Sequence, residues 1–417
     1  METISEGIIP LYIFAHLLKV MESRPNISFE NTAVAFSYKS DADLRKANFI
    51  FSLVNHTWIS SMATELIKFA FKAGLPIEGI IKKTAFEHFC GGESIEKSEG
   101  VIQLLAQYHV GTILDYSVEG EKSEAGFDLT MEEILRTLEK ARHAKSIPFC
   151  VFKVTGLASG DVLEKINRKE KLTETESAAF ERIRNRVHKI CEKAHSFGVP
   201  VLIDAEETWI QDPIDQLADE MMAKYNREKA IVFNTYQMYR TSSLNNLYHD
   251  YQDAMNGHYF LGAKLVRGAY MEKERERAEK LNYPSPIHPD KQATDKAFND
   301  ALEFCIAHID KVYVMCGSHN EYSNALLTQR MAEKQIASKN PHIWFAQLFG
   351  MSDNISFNLA KADYNVVKYV PYGPVKAVMP YLLRRAAENT SVVGQSSREL
   401  KLIRAELKRR KALGIRH

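Results

Sequence analysis

Two adjacent arginines near the C-terminus, Arg384 and Arg385, are the clearest chemical signal in the sequence. On a helix they share one face with Tyr381 and Glu388, because these positions fall at i, i+3, i+4 and i+7. Two neighbouring guanidinium groups can bind one carboxylate through parallel hydrogen bonds. A solvated basic face is the commoner explanation for such a pair, so the function depends on what positions this helix.

The residues before this helix predict a strand and a turn that lead directly into it. Residues 365–370 are β-branched and aromatic, and Pro-Tyr-Gly-Pro at 371–374 is typical of a turn. On the helix itself, Leu382, Leu383 and Ala386 form an apolar face that can dock on the rest of the protein. The arginines are therefore expected close to the C-terminal end of a strand.

Eight apolar runs predict buried strands, each followed by a segment with helical periodicity. The runs are residues 110–116, 149–154, 201–204, 230–234, 260–266, 312–316, 343–347 and 366–369. Strands that lack polar alternation are buried on both faces, so this order predicts an α/β fold of the (β/α)8 TIM-barrel type. An open doubly wound sheet is the alternative, and the lack of GxGxxG after any strand disfavours it.

Polar side chains stand where these predicted strands end, which is where a barrel of this type has its active site. They are Lys153, Asp204, Glu206, Glu207, Asn234, Gln237, Arg267, Tyr270, His319, Asn320, Gln347 and Tyr369. Taken singly, several of them could be paired core residues. Together, cations suit a carboxylate, acids suit an ammonium and tyrosines suit an apolar body, so they predict a ligand such as an amino acid. These residue types leave an oxidoreductase, a lyase and an aldolase with Lys153 as Schiff base open.

Bulk properties exclude several classes of protein. Among 417 residues, 54 are basic and 53 acidic, and this balance gives no reason to expect a nucleic-acid partner. No His, Cys, Asp cluster has the spacing of metal ligands, so we predict no metal. The five cysteines include no CxxC and mostly lie in apolar runs, which indicates buried free thiols in a reducing compartment.

The chain is predicted to have three parts. Residues 1–105 predict a mainly helical N-terminal arm, residues 106–395 the barrel, and residues 396–417 a basic helical tail. The N-terminus shows no transit or signal segment, and its apolar stretch at 8–20 is too short to span a bilayer. We therefore expect a cytoplasmic protein.

Six motifs resemble those of the proline dehydrogenase family. They are DAEETWIQ at 204–211, NTYQMY at 234–239, KLVRGAYM at 264–271, QLFGMSD at 347–353, YVPYGP at 369–374 and YLLRRAAEN at 381–389. They span roughly residues 150–390, and their joint occurrence is specific. The resemblance implies a distorted barrel that binds FAD noncovalently and oxidises L-proline to Δ1-pyrroline-5-carboxylate. It also implies that the electrons pass to a membrane quinone.

The same resemblance implies a role for individual residues. The catalytic residues near the reacting centre would be Asp204, Lys264 and Tyr270. The substrate-binding residues would be Lys153, Leu348, Tyr369, Tyr381, Arg384, Arg385 and Glu388. The FAD contacts would be Gln237, Lys264, Arg267, Gly268, Ala269, Ser318 and His319. Many relatives have Arg at the position of Lys264, so the charge is kept here but the planar geometry is not.

The resemblance also implies partners. The length predicts a monofunctional enzyme, with a separate pyrroline-5-carboxylate dehydrogenase downstream. A quinone acceptor implies peripheral contact with the inner membrane, for which residues 8–20 are the best candidate. Hydroxyproline is the nearest alternative substrate, although Tyr369 fills the place where a smaller residue would admit a hydroxyl group. A Schiff-base lyase and a non-enzymatic amino-acid-binding barrel are the alternatives from other classes.

Overall fold

Eight parallel strands close into a barrel in the computed structural model, which describes residues 27–54, 78–117, 123–391 and 395–415. Strands β1 (Val110–Tyr116) and β8 (Val366–Tyr372) pair with each other and complete the ring. Between them lie β2 (Phe149–Lys153), β3 (Val201–Asp204), β4 (Val232–Gln237), β5 (Leu261–Val266), β6 (Val312–Gly317) and β7 (Ile343–Leu348). The predicted barrel is confirmed, and the open doubly wound sheet is wrong.

Short helices precede the barrel in the described part of the N-terminal region. They are α1 (Thr32–Ala35), α2 (Asp41–Val54), α3 (Glu78–Ile81), α4 (Glu87–Phe89) and α5 (Glu99–Gln107). A π-helical turn at Lys82–Phe86 separates α3 from α4, and a 3-10 turn at Glu96–Ser98 precedes α5. The predicted apolar segment at 8–20 lies outside the described residues. The proposed domain boundaries stay a prediction.

Longer helices follow the strands and surround the barrel. They are α6 (Glu124–Arg142), α7 (Gly160–Asn167), α8 (Glu174–Phe197), α9 (Thr208–Tyr225), α10 (Ser243–Asn256), α11 (Met271–Leu281), α12 (Lys291–Ala307), α13 (Glu321–Glu333), α14 (Asp353–Lys361), α15 (Val375–Ser391) and α16 (Gln395–Leu413). Two of these helices, α15 and α16, follow the last strand.

Local sequence explains where some of these helices begin and end. The Ser123 hydroxyl accepts a hydrogen bond from the Gly126 amide, so α6 begins at Glu124. Thr173 and Glu176 form a capping box at the start of α8. Gly198, with φ of +65°, ends that helix in the left-handed conformation that favours glycine, as predicted.

The charged segment at 271–277 is not a fully solvated helix face. Glu274, in α11, is completely buried. Its carboxylate accepts hydrogen bonds from the Thr208 amide at 2.7 Å and the Thr208 hydroxyl at 2.6 Å. Glu274 therefore joins α11 to the start of α9, because a buried carboxylate needs such donors.

A second apolar core outside the barrel holds the arginine helix α15. Val378 and Leu382 of α15 pack there with Phe36 and Phe51 from the N-terminal helices and with Ile403 from α16. This confirms the predicted docking face at Leu382. The position of α15 therefore depends on segments from both ends of the chain as well as on the barrel.

The cysteines are buried in the protein interior, as the sequence indicates. All five cysteines are free and buried. Burial raises the pKa of the Cys150 thiol to about 12, so it stays protonated. Within the four described ranges, none of the helices combines the length and the apolar composition needed to cross a membrane.

Candidate active site

Charged side chains occupy the mouth of the barrel directly above its apolar interior. Val151 and Leu202 belong to the interior core. Because side chains alternate across a strand, Lys153 and Asp204, two residues further on, also point inward. They are register partners on β2 and β3. The predicted arrangement of polar residues at the C-terminal ends of the strands is thus present here.

Asp204 is the centre of a buried ionic cluster. Its two carboxylate oxygens accept hydrogen bonds from different ammonium groups, one from Lys153 and the other from Lys264. The second of these contacts is 2.5 Å long. Lys264 also donates to the Tyr369 hydroxyl at 2.8 Å, and its ammonium lies 4.5 Å from the centre of that ring. Four side chains from β2, β3, β5 and β8 therefore meet at one point.

The cluster keeps Asp204 ionised. Burial by itself would raise the pKa of this carboxyl, but Lys153 and Lys264 outweigh burial and lower it below its ordinary value. Burial also opposes the charge on Lys153, yet Asp204, Asp115 and Tyr270 raise its pKa well above the usual range. For Lys264 burial prevails, and its pKa is lowered. The pKa values of the two lysines therefore shift in opposite directions, although both lysines pair with the same carboxylate.

Tyr270 and Glu206 lie beside this cluster. Burial raises the pKa of the Tyr270 hydroxyl above its ordinary value, so it remains a neutral donor. Glu206 is 3% exposed, and burial raises its pKa to about 7 despite a hydrogen bond from the Thr155 amide at 2.9 Å. Glu206 is thus a mouth carboxyl that changes charge near neutral pH.

Helix α15 brings the predicted substrate residues over the same mouth. Tyr381 is buried and Arg384 is partly buried. Burial raises the pKa of the Tyr270 hydroxyl, and the positive charge of Arg384 is close enough to oppose that rise. The side chains of Arg385 and Glu388 lie outside the described residues. Their predicted roles stay predictions.

Arg267, at the end of β5, lies among hydroxyl groups. It donates to the Ser318 hydroxyl at 2.8 Å and to the Ser323 hydroxyl at 2.9 Å. It also forms an ion pair with Asp295 at 2.6 Å. Its guanidinium stacks 4.4 Å from the centre of the Phe298 ring. The guanidinium is therefore held rigidly while it remains partly exposed.

At Gly268, next to Arg267, the backbone lies close to the Tyr239 ring. Gly268 has φ of +131°, and a Cβ atom there would lie 2.5 Å from the Tyr239 ring. Gln237 accepts a hydrogen bond from the Ala269 amide at 3.2 Å and donates to the Glu206 carbonyl at 2.6 Å. Gln237 therefore ties the loops after β3 and β5 together.

Leu348, Ser318 and His319 complete the predicted set. Leu348 ends β7, is partly buried and packs against the interior core. Ser318 and His319 follow β6, and His319 Nδ1 lies 2.9 Å from the Ser352 hydroxyl. All three residues therefore lie at the same end of the barrel as Asp204.

Two residues that sequence placed at the mouth point away from it. Asn234 lies out of phase with the inward positions of β4, and its amide donates to Asp215 at 3.0 Å. Gln347 likewise faces the helices, where its amide donates to the Ser318 carbonyl at 3.0 Å. Both predictions were wrong because a position at a strand end does not decide which face a side chain takes.

Asp115 is a mouth residue that the sequence analysis missed. It lies two positions after Ile113, a member of the interior core, and therefore points inward from β1. It is 7% exposed and accepts a hydrogen bond from the Ser117 hydroxyl at 2.9 Å. The alternation of β1 was the signal that could have identified it.

The residues after β5 and β6 could hold a phosphate-containing cofactor. A partly exposed guanidinium, serine hydroxyls, an imidazole and a side-chain-free backbone at Gly268 are the groups that bind a pyrophosphate and its attached polyol. The cation at Lys264 suits a ring that gains negative charge. Within the described segments, no group of three or more His, Cys, Asp or Glu residues could hold a metal ion.

The geometry defines a (β/α)8 barrel with a buried ionic cluster at its mouth and a second group of polar side chains after β5 and β6. The sequence profile of the family described as "Proline dehydrogenase" matches residues 99–398. The chain is 34% identical to "Proline dehydrogenase 1, mitochondrial" of Dictyostelium discoideum, with 91% of this chain and 74% of that protein covered. The chain therefore belongs to the proline dehydrogenase family.

Other similar proteins show how broad this family is. The chain is 35% identical to "Carbapenem antibiotics biosynthesis protein CarD" of Pectobacterium carotovorum, over 78% of this chain and 85% of that protein. The solved structure of proline utilization A (PutA) from Bdellovibrio bacteriovorus has the same fold, with a TM-score of 0.67 at 19% identity. That similarity covers 93% of this chain but only 42% of the PutA chain.

Proposed function

We propose that the protein oxidises L-proline to Δ1-pyrroline-5-carboxylate with FAD as its cofactor. The observation that carries the proposal is Asp204, held ionised between Lys153 and Lys264 beneath the arginine helix. A cyclic amino acid needs one site for its carboxylate and one for the charge on its nitrogen. The mouth of the barrel provides both.

The substrate carboxylate would lie toward α15. Arg384 adds a positive charge close to Tyr270, and Arg385 adds a second by its position in the motif. Lys153 and Lys264 are already balanced by Asp204 and the nearby Asp115. The arginines therefore carry the excess charge that attracts a carboxylate. Tyr369 and Tyr381, both buried, would enclose the apolar ring.

Asp204 would stabilise the reacting nitrogen. As the carbon beside it loses hydride, the nitrogen gains positive charge, and an adjacent carboxylate favours that change. Asp204 can do this at neutral pH because the two ammonium groups keep it ionised. Tyr270 remains protonated and can donate a hydrogen bond at the same place. FAD, when bound, would accept the hydride.

Several residues would hold the cofactor. Arg267 and the Ser318 hydroxyl would contact its phosphate and sugar groups, with His319 on the neighbouring loop. Gly268 would allow the close approach of the backbone. Both ends of the Gln237 side-chain amide already bond to backbone groups, so we expect Gln237 to position the Ala269 loop.

The Schiff-base lyase is the less suitable alternative. A lysine nucleophile must be neutral, and Asp204, Asp115 and Tyr270 hold the pKa of Lys153 far above neutrality. Hydroxyproline is a closer competitor because it has the same charged groups as proline. Tyr369 is fixed by the hydrogen bond from Lys264 and fills the space in which a ring hydroxyl would lie. Relative kcat/KM for the two substrates tests this preference.

We further propose that a quinone is the final electron acceptor and that a separate pyrroline-5-carboxylate dehydrogenase acts downstream. The protein would be cytoplasmic, with peripheral contact to the inner membrane. One feature supports the membrane contact. Lys401, Arg404, Lys408 and Lys411 form an exposed basic stripe along α16, suited to anionic lipid headgroups. Sedimentation with phosphatidylglycerol vesicles, compared with phosphatidylcholine vesicles, measures that contact, and replacing the four cations by glutamine should abolish it.

An anaerobic absorbance spectrum before and after addition of L-proline tests the central proposal. We expect a flavin spectrum that bleaches with proline. A flavin that stays oxidised with proline but bleaches with hydroxyproline would reassign the substrate. Protein that contains no flavin and rebinds none would refute the proposal. The substrate test matters because a relative of similar identity is named for antibiotic biosynthesis.

A further inference from the structure

The loop between β7 and α14, residues 349–352, turns through two residues with positive φ, of which only one is glycine. Gly350 has φ of +79°, and a Cβ atom there would lie 2.4 Å from the His88 carbonyl oxygen. Ser352 also adopts the left-handed conformation, with φ of +51°, although it is not glycine. Such a conformation is unfavourable by about 1 kcal/mol or more. Contacts from elsewhere must therefore hold this loop.

Lys368 supplies several of these contacts. It lies on β8, and its side chain is completely buried and faces away from the barrel interior. Its ammonium donates to the Met351 carbonyl at 2.5 Å, to the Asp353 carboxylate at 2.7 Å and to the Leu348 carbonyl at 3.3 Å. A buried ammonium is stable only with such acceptors. All three of these acceptors belong to the loop or to its two ends.

Residues from the N-terminal region and from α16 near the C-terminus also contact this loop and Asp353. Asp353 accepts hydrogen bonds from the Tyr38 hydroxyl at 2.7 Å and from the Lys39 ammonium at 2.9 Å. The Ser352 amide donates to Glu399 of α16. Because Asp353 is only 2% exposed, these partners replace water around it. Tyr38 and Lys39 of the predicted N-terminal arm thus contact a loop at the mouth of the barrel.

Two candidate site residues adjoin this loop. Leu348 immediately precedes it, and His319 contacts it through the Ser352 hydroxyl at 2.9 Å. We infer that Lys368 and Asp353 are positioning residues for the reaction, and that Tyr38 and Lys39 complete their cluster. This inference rests on the proposed oxidation of proline. Displacing Leu348 by about 1 Å would misalign the substrate and lower kcat by 10- to 100-fold.

The test separates positioning from simple stabilisation. Lys368→Met leaves Asp353 with too little positive charge, so it will also destabilise the fold. In the double variant Lys368→Met/Asp353→Asn the carboxylate opposite Lys368 is removed as well, Lys39 keeps Glu399 as its nearby acid, and the thermal midpoint should recover in part. We expect kcat of the double variant to stay at least tenfold below that of the parent, with KM for proline changed less than threefold. A double variant with kcat within twofold of the parent would overturn the inference.

A milder pair of variants keeps the test valid if the lysine variants fail to fold. Tyr38→Phe removes only the hydroxyl that donates to Asp353. Its matched control is Tyr236→Phe, because Tyr236 donates to Asp250 at the same distance of 2.7 Å on the other side of the barrel. We expect a two- to fivefold lower kcat for Tyr38→Phe alone. Equal kcat in the two variants would contradict the inference.

Hydrogen exchange of the holoenzyme gives a result that does not depend on turnover. Amides of residues 349–353 should exchange faster in Tyr38→Phe than in the parent and in Tyr236→Phe. An unchanged rate would overturn the inference even if the parent oxidises proline. If the parent leaves proline unoxidised while the loop exchanges faster as expected, the proposed function fails and the structural link between Tyr38 and the loop stands.

Discussion

Replacing Asp204 by Asn is the sharpest test of the charge arrangement at the barrel mouth. Asn keeps the size of the side chain but removes the charge that Lys153 and Lys264 share. A carboxylate about 4 Å from a full positive charge stabilises it by about 4 kcal/mol at an effective dielectric constant of 20. If between half and all of that charge has formed on the substrate nitrogen in the transition state, about 2–4 kcal/mol is lost. The expected fall in kcat/KM is therefore between about 30- and 1000-fold.

The assay is proline-dependent reduction of a soluble dye, with the flavin content of each variant measured first. Asp115→Asn is the matched control, because Asp115 is also buried at the mouth but forms no direct ion pair with either lysine among the described contacts. We expect a less than tenfold effect from it. Asp204→Asn that folds, binds flavin and keeps more than a third of the parent kcat/KM would refute the assigned role of Asp204.

Three further predictions follow from the same contacts. Burial raises the pKa of Glu206 from 4.5 to about 7, so its contribution to stability is fully present below pH 4.5 and is lost as pH rises through 7. Relative to the parent, the free energy of unfolding of Glu206→Gln should therefore rise by up to about 3 kcal/mol between those pH values, minus the cost of the weakened hydrogen bonds from Thr155. Urea unfolding of both proteins at pH 5 and pH 8 measures this difference. Gly268→Ala should lower the melting temperature and the bound flavin together, since its Cβ would lie 2.5 Å from the Tyr239 ring; normal flavin content would remove Gly268 from the cofactor site. Arg385→Met should raise KM for proline by about 30- to 1000-fold with flavin retained, for a loss of about 2–4 kcal/mol, and an unchanged KM would contradict carboxylate binding by this arginine.

Much of the barrel could be predicted because its strands are short and almost wholly apolar. β1 and β3 have the predicted bounds, and their burial on both faces leaves a strong signal in the sequence. The bounds of β4 were less certain. It begins at Val232 and not at 230, because the Asn226 side chain accepts from the Ile231 and Val232 amides and fixes the chain before the strand starts.

The direction of each polar side chain was harder to predict. Lys153 and Asn234 both stand near the end of an apolar run, yet one enters the barrel and the other faces the helices. Strand alternation gives opposite directions to residues one position apart, so a small error in a strand boundary reverses the prediction. The same effect concealed Asp115, which has the inward phase of Ile113.

Contacts between distant parts of the chain were beyond sequence reasoning of this kind. Lys368 lies inside a strand, and its partner Asp353 also contacts Tyr38 across 315 residues of sequence. No periodic pattern in the sequence predicts a contact between residues so far apart in the chain. A fully buried lysine within an apolar strand is nevertheless a signal, because it requires acceptors on neighbouring elements.

The two lysines at Asp204 show why residue type alone does not assign a role. Asp204, Asp115 and Tyr270 raise the pKa of Lys153, whereas burial lowers the pKa of Lys264 in spite of the same carboxylate. Lys153 is therefore a permanent cation that helps to keep Asp204 ionised. The charge of Lys264 depends more on its neighbours, and a negative group brought close to it would raise its pKa and secure its proton. That response would suit a residue beside the proposed flavin. It comes from burial, which the sequence of β5 does not distinguish from that of β2.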